Sequence, residues 1–361
     1  MTTPSPILES MAISKRFAGP KKLFTPRTSL LAVDRVSLQV YPGETLAIVG
    51  ESGSGKSTLG RLLLDLLDIS EGEVYYDGQP VSRMSKKRKQ ALRQQLQIIF
   101  QDPFASLNPR MTVAEIVGEP IWLHESLSKL ERLERVRELL AMVGLPETMI
   151  NRYPHEFSGG QRQRIGIARA LASRPKVILG DEPVSALDVS VQAQVVNLLV
   201  DLKKQLGLTL IIVAHGLSII RHMSDRVAVM YLGQIVEVGP ADAIFNQPKH
   251  PYTQALLDSA PSLTPGNKRR HSSLSGDLPN PMQPPQGCRF HTRCPYAQES
   301  CQLREPKLET VNEGHQVSCL HWQTMPTQLI ATETYQASAA FRQRRALFEA
   351  AIHQTSTVKE M

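Results

Sequence analysis

Nine residues constrain this chain more than any others: Gly50-Glu51-Ser52-Gly53-Ser54-Gly55-Lys56-Ser57-Thr58. They follow an apolar strand-like run, Thr45–Val49, and open a helical pattern from Ser57 to about Leu67. The spacing G-x-x-x-x-G-K-[ST] in that setting marks a loop whose backbone N–H groups wrap a nucleotide's phosphates. Gly50, Gly53 and Gly55 let the backbone turn tightly and approach the ligand, with Ser52 and Ser54 between them, and the helix N-terminus adds a favourable dipole. Lys56 is placed to reach the β- and γ-phosphates, Ser57 to offer its hydroxyl to Mg²⁺, and Thr58 completes the loop.

The flanking sequence predicts the sheet this loop belongs to. Residues 30–250 alternate apolar strand-like runs with helical patterns, which predicts an α/β domain with a largely parallel sheet. Leu96–Phe100, Val177–Leu179 and Leu208–Val213 read as further strands, and Arg226–Val238 as two strands turning at Leu232-Gly233. Leu130, Leu133, Val136, Leu139, Leu140 and Val143 recur at helical spacing, stopped by Gly144 and Pro146. With 361 residues there is room for one sizeable core and a smaller appendage.

Val177–Leu179 leads through Gly180 to Asp181-Glu182. Carboxylates at the carboxyl end of such a strand point into the ligand crevice. Asp181 suits Mg²⁺ through a water, and Glu182, one residue nearer the γ-phosphate, suits the general base. A second phosphate-facing element is Ser158-Gly159-Gly160-Gln161, a turn that feeds a helix and offers a hydroxyl and backbone N–H groups.

The pair of motifs resembles the ATP-binding subunits of ABC transporters. That resemblance implies a P-loop NTPase domain over residues 1–258, with a RecA-like core, an antiparallel β subdomain and a helical subdomain at about 102–172. It implies that Gln101 is the glutamine that senses Mg²⁺ and the attacking water. Ser185-Ala186-Leu187-Asp188 would then be the loop that crosses to a second subunit, and His215 the histidine at the γ-phosphate. Phe17 would stack on adenine, with Phe24 as competitor. Ser158-Gly159-Gly160-Gln161 would cap the γ-phosphate held by a partner's loop, so that ATP bridges two subunits. Where the family carries an acidic or amide residue after the histidine, this chain has Gly216, a change expected to lower turnover mildly.

Phe100–Arg110, Arg152–Gln161, Glu182–Ser190 and His250–Leu256 narrow the resemblance to importers of dipeptides and oligopeptides, most closely the "F"-type ATPase of bacterial dipeptide permeases. The implied partners are a homologous "D"-type ATPase, two permease subunits, and indirectly a periplasmic or extracellular binding protein. Residues 102–125 would face the permeases. The expected location is peripheral, on the cytoplasmic face of the bacterial inner membrane. No apolar run of membrane-spanning length occurs, and the start, Met-Thr-Thr-Pro-Ser-Pro, does not read as a secretory signal. The net charge of +7 is scattered over surface clusters such as Lys86–Lys89 and Lys268–Arg270, and no nucleic-acid partner is expected. The competing function, a soluble ABC-type ATPase of DNA repair or translation, is disfavoured by the short spacer between the motifs and the single cassette.

Residues 259–287 read as a linker rich in Pro, Ser, Asn and Gly, opening a C-terminal extension. Residues 288–322 form a small region holding Cys288, Cys294, Cys301 and Cys319, with gaps of five, six and seventeen residues, and 323–361 a helical tail. Four cysteines so confined argue for a metal site over disulfides. The readings are a [4Fe–4S] cluster, favoured by the resemblance, Zn²⁺ with His291 or His321 substituting, or free buried thiols.

Overall fold

The computed structural model describes residues 5–19, 29–215, 217–259 and 278–326. Phe24, Gly216, linker residues 260–277 and the tail from 327 onward lie outside the described residues.

Twelve strands run in chain order: β1 Leu8–Ala18, β2 Ser29–Val40, β3 Thr45–Val49, β4 Glu71–Tyr76, β5 Gln79–Pro80 and β6 Leu96–Ile99, then β7 Val177–Asp181, β8 Thr209–Ala214, β9 Arg226–Tyr231, β10 Gln234–Pro240, β11 Glu309–Asn312 and β12 His315–Val317. They form two sheets. One is antiparallel, in the order β2-β1-β4-β5, and the other has eight strands in the order β11-β12-β10-β9-β3-β8-β7-β6. From β9 to β6 every pairing in the large sheet is parallel. Every residue of β3 and β7 is buried, as a strand covered on both faces must be, which explains their unbroken apolar runs.

The sequence locates these strands to within a residue or two. Leu96–Phe100 ends at Ile99, Val177–Leu179 continues to Asp181, and Leu208–Val213 shifts to Thr209–Ala214. The turn at Leu232-Gly233 joins β9 to β10. The helix after the phosphate loop is shorter than expected, Lys56–Leu63, because the chain passes through a left-handed Asp65 (φ 54°) and leaves helical geometry. Leu59, Leu62 and Leu63 of this helix are buried with Leu8, Ile13, Val33 and Val36 from the antiparallel sheet and Leu46 and Ile48 from β3. One core therefore fixes the helix between both sheets.

Three helices, Val113–His124, Lys129–Met142 and Gly159–Leu171, form the helical part of the domain. Each starts at a capping box: Thr112 with Glu115, Ser128 with Glu131, Ser158 with Gln161. Val136, Leu139, Leu140 and Val143 are buried as the spacing predicts, whereas Leu130 is exposed.

The cysteine-bearing segment is built into the main sheet. β12 pairs antiparallel with β10, matching Glu237 to Val317 and Val238 to Gln316. Its Phe290 packs against Tyr231, Tyr252 and His250 with ring centroids 5.3, 5.4 and 5.8 Å apart. Beneath it Glu237 is wholly buried and accepts hydrogen bonds from the backbone N–H groups of Lys249 (2.7 Å) and His250 (3.0 Å), with His315 Nε2 at 2.8 Å.

Burial pulls the His250 imidazole from 6.5 down to about 4, with Glu237 opposing the shift. Above pH 6.5 folded and unfolded chains both hold it neutral; below, the unfolded chain binds a proton that the folded chain refuses until about pH 4. The stability contributed is thus complete above the unfolded value and is lost as pH falls toward the folded one, by ~3 kcal/mol for this group. Thermal melts across that acid range check it. His250→Asn, which keeps an acceptor for the Tyr252 N–H now bound by His250 Nδ1 at 3.0 Å, should lose less stability on acidification than the wild type. Parallel pH profiles would place the acid sensitivity elsewhere.

Candidate functional site

Parallel register gathers the site. Val49 stands opposite Ala214, Val213 opposite Asp181, and Gly180 opposite Ile99, so β3, β8, β7 and β6 end at one level. The residues just past those ends are Gly50, His215, Glu182 and Gln101. A cleft of about 580 Å³ opens there, lined by Phe17, Leu30 and Ala32 on one side, by Ser52, Gly53, Gly55, Lys56, Ser57 and Thr58 along the loop, and by Gln101, Glu182 and His215. This is the crevice in which open α/β sheets bind ligands.

Lys56 is 4% exposed, and its ammonium donates to the carbonyls of Gly50 and Glu51, each at 2.8 Å. Burial pulls its pKa below the ordinary lysine value, with Glu182, Asp181 and Glu51 opposing that shift. The loop's shape depends on Gly55. Its φ is 104°, and a Cβ there would stand 2.2 Å from the carbonyl oxygen of Ala32. Gly50 and Ser54 lie beneath the lining: Ser54 is buried, its carbonyl accepting from the Gly233 N–H at 2.8 Å.

The Ser57 hydroxyl donates to Asp181 Oδ1 at 2.6 Å, and Asp181 Oδ2 pairs with Arg61 at 3.0 Å. A hydroxyl and a buried carboxylate side by side, next to the phosphate loop, are the oxygen donors Mg²⁺ prefers, so the residues fit that ion. Arg61 was not singled out from the sequence, although it lies one helical turn after Ser57, on the same face. Gln101 and His215 both stand on Glu182: the Gln101 amide donates to Glu182 Oε2 at 2.9 Å, and His215 Nδ1 lies 3.3 Å from the same oxygen. Glu182 itself adopts a left-handed φ of 50°, its N–H bonded to the Val213 carbonyl at 3.0 Å. Such a conformation costs of order 1–2 kcal/mol for a residue with a Cβ and is typical of functional sites.

Other expected residues lie elsewhere. Ser158, Gly159, Gly160 and Gln161 do not line the cleft. Ser158 caps the helix Gly159–Leu171, its hydroxyl accepting from the Gln161 N–H at 3.4 Å. Gly160 packs so closely on the helix Val189–Leu206 that a Cβ would fall 2.4 Å from Val191 Cγ1. Asp188 is the exposed N-cap residue of that helix. Of the aromatic candidates Phe17 faces the cleft, with Lys15 Nζ 5.3 Å from its ring centroid.

The Cys288 N–H donates to the Cys301 carbonyl at 2.8 Å, which brings those two segments together. Burial pushes the Cys288 thiol up to about 11 and Cys319 up to about 12, with the neighbouring thiols adding to each shift, and raises Cys294 as well. Yet among the described residues no group of three or more His, Cys, Asp or Glu side chains is arranged to hold a metal ion. His291 and His321, the substitutes considered for zinc, are turned to the Cys288 carbonyl and the Ser300 hydroxyl, each at 2.8 Å. None of the four is in a disulfide; three are half-buried and Cys301 is buried.

Comparison with known proteins agrees with this arrangement. The ABC transporter family pattern matches residues 33–185, and the pattern of the oligopeptide/dipeptide transporter C-terminal region matches residues 236–301. The chain is 50% identical to an oligopeptide transport ATP-binding protein, OppF, of Haemophilus influenzae, over 86% of this chain and 95% of the relative. It is 48% identical to the dipeptide transport ATP-binding protein DppF of Escherichia coli, over 88% and 95%. Among solved structures it resembles a dimeric ATP-binding cassette in a post-hydrolysis state with ADP and Pi, at 31% identity and a TM-score of 0.58, covering 65% of this chain and 98% of that one.

Proposed function

This chain belongs to the ATP-binding proteins of ABC-type oligopeptide and dipeptide transporters, and from that premise we propose that it hydrolyses ATP to drive import of short peptides through a pair of membrane permease subunits. The observation that carries the reading is the composition of the cleft. It gathers a phosphate loop, a serine–aspartate pair for Mg²⁺, and a carboxylate between an amide and an imidazole, but none of residues 158–161. That spacing supports a site completed by a second cassette. The reading is favoured over a soluble repair or translation ATPase by the match at residues 236–301.

In the proposed reaction the loop N–H groups and Lys56 hold the β- and γ-phosphates. Ser57 and Asp181, with Gln101, would hold Mg²⁺, which would neutralise charge on the phosphate oxygens. Phe17 stacks on the base. Glu182 takes a proton from the attacking water as its oxygen bonds to the γ-phosphorus and the bond to the bridging oxygen breaks, giving ADP and phosphate. For that, Gln101 and His215 must release Glu182 Oε2, leaving His215 to donate to the γ-phosphate. Ser158, Gly159, Gly160 and Gln161 would close on the partner's γ-phosphate, and Asp188 would cross the interface. We infer that the partner is a homologous ATPase and that an extracytoplasmic binding protein delivers the peptide.

Among the described residues no helix is long and apolar enough to cross a membrane; we infer from the transport role of its relatives that the chain attaches peripherally to the permeases at the cytoplasmic face. The test is reconstitution. Vesicles holding both permeases and both ATPases, supplied with the binding protein, should take up labelled dipeptide or oligopeptide only with ATP, and omitting this chain should abolish uptake. Full uptake without it would overturn the proposal. For the cysteines, the donor chemistry alone supports an iron–sulfur cluster. Anaerobic purification with iron and acid-labile sulfide analysis decides it, and iron-free protein of full activity would leave them as thiols.

A further inference from the structure

Glu51 is an odd residue to find in a loop built to receive a polyanion. It is the second residue of the phosphate loop, and its carboxylate adds a negative charge where ATP brings several more. The structure shows what offsets it. Arg293, 242 residues later in the chain, grips Glu51 through both amino groups: Nη1 lies 2.7 Å from Oε2 and Nη2 3.0 Å from Oε1. The Arg293 side chain is 5% exposed and that of Glu51 26%, so water screens the pair weakly.

The backbone of the same residue is held at two further points. The Glu51 N–H donates to the Tyr252 hydroxyl at 2.8 Å, and the Glu51 carbonyl accepts from Lys56 at 2.8 Å. Tyr252 is fully buried against Tyr231, ring centroids 4.7 Å apart, and Arg293 lies 3.5 Å from the Tyr231 hydroxyl. Leu278 stands beside the loop's tip, its Cδ2 3.8 Å from where a Cβ on Gly53 would be. Residues from the C-terminal third therefore bracket a loop at the other end of the chain.

We propose that Arg293 is a positioning residue for the phosphate loop, neutralising Glu51 and, with Tyr252, fixing the loop backbone so that the C-terminal region sets the affinity for ATP. The proposal rests on the ATP-binding reading above. An unpaired Glu51 would repel the phosphates and would also attract Lys56, drawing it away from its ligand.

The test uses the full-length chain and a fluorescent ATP analogue without Mg²⁺, so that binding is read apart from turnover. Arg293→Leu should raise the Kd roughly tenfold, inside the usual 5- to 150-fold range for coupled sites. Arg293→Lys, which keeps the charge without the two-pronged geometry, should fall between. The decisive variant is Arg293→Leu combined with Glu51→Gln. Removing both charges should bring the Kd back to within about threefold of wild type, and added salt should narrow the gap between Arg293→Leu and wild type. If Arg293 serves only to hold the fold, the double variant will bind as weakly as the single one, and that result overturns the proposal. So does an Arg293→Leu chain that binds ATP as the wild type does. Should Arg293→Leu fail to fold, Arg293→Lys and the double variant carry the same decision. A wild-type chain that does not bind the analogue would instead defeat the ATP-binding reading, a separate outcome.

Discussion

Glu182→Gln is expected to leave ATP binding intact and to lower hydrolysis by the assembled transporter by roughly 10²- to 10⁴-fold, the usual worth of a general base. Glutamine keeps the shape and can still accept the Gln101 amide bond now made at 2.9 Å to Glu182 Oε2, so the cleft should keep its form. What is lost is the ability to take the water's proton. With binding kept and turnover removed, the two cassettes should stay closed on ATP, visible as a nucleotide-dependent shift in size-exclusion chromatography. Measured turnover equal to wild type would remove Glu182 from the role of base. His215 and Gln101 variants should cost less, because each acts on the water or the phosphate and neither accepts the proton.

Gly55→Ala should be nearly as severe, for a reason of space alone. The added methyl would sit 2.2 Å from the Ala32 carbonyl oxygen and 2.9 Å from Met230 Cε, at a φ of 104° that side chains rarely adopt. The methionine tip can move, but the carbonyl belongs to β2 and cannot. The loop must therefore open away from the geometry that presents its N–H groups, and ATP affinity should fall by at least about 100-fold. Titration with labelled ATP, alongside a melting curve, checks this. Near-normal affinity would mean that the loop has a second binding conformation.

The legible parts of this protein are the local ones. The loop at 50–58 carries its own signature, and β3, β7 and β8 announce themselves as short unbroken apolar runs because parallel strands are covered on both faces. The convergence of Gln101, Glu182 and His215 was legible only through family resemblance; its physical cause is the aligned ends of β6, β7 and β8, which no local pattern encodes. Arg61 could have been found from its one-turn spacing after Ser57. Arg293 could not, since its partner is 242 residues away and nothing around it repeats. The β12 pairing was equally hidden: three residues are too few to show an alternation. The cysteine spacing suggested a ligand set, but it does not determine how the side chains converge, and the expected cluster geometry is absent among the described residues.

That late strand has a consequence for how the chain is made. Until residues 315–317 emerge from the ribosome, β10 stands as an open edge with unpaired N–H and C=O groups, the kind of surface on which nascent chains stick to one another. Arg293 is synthesised shortly before those residues, so the side chain that grips Glu51 and the strand that covers the sheet edge arrive at nearly the same moment. On the Arg293 proposal, a nascent chain that still lacks this stretch would bind ATP less tightly than one that has acquired it.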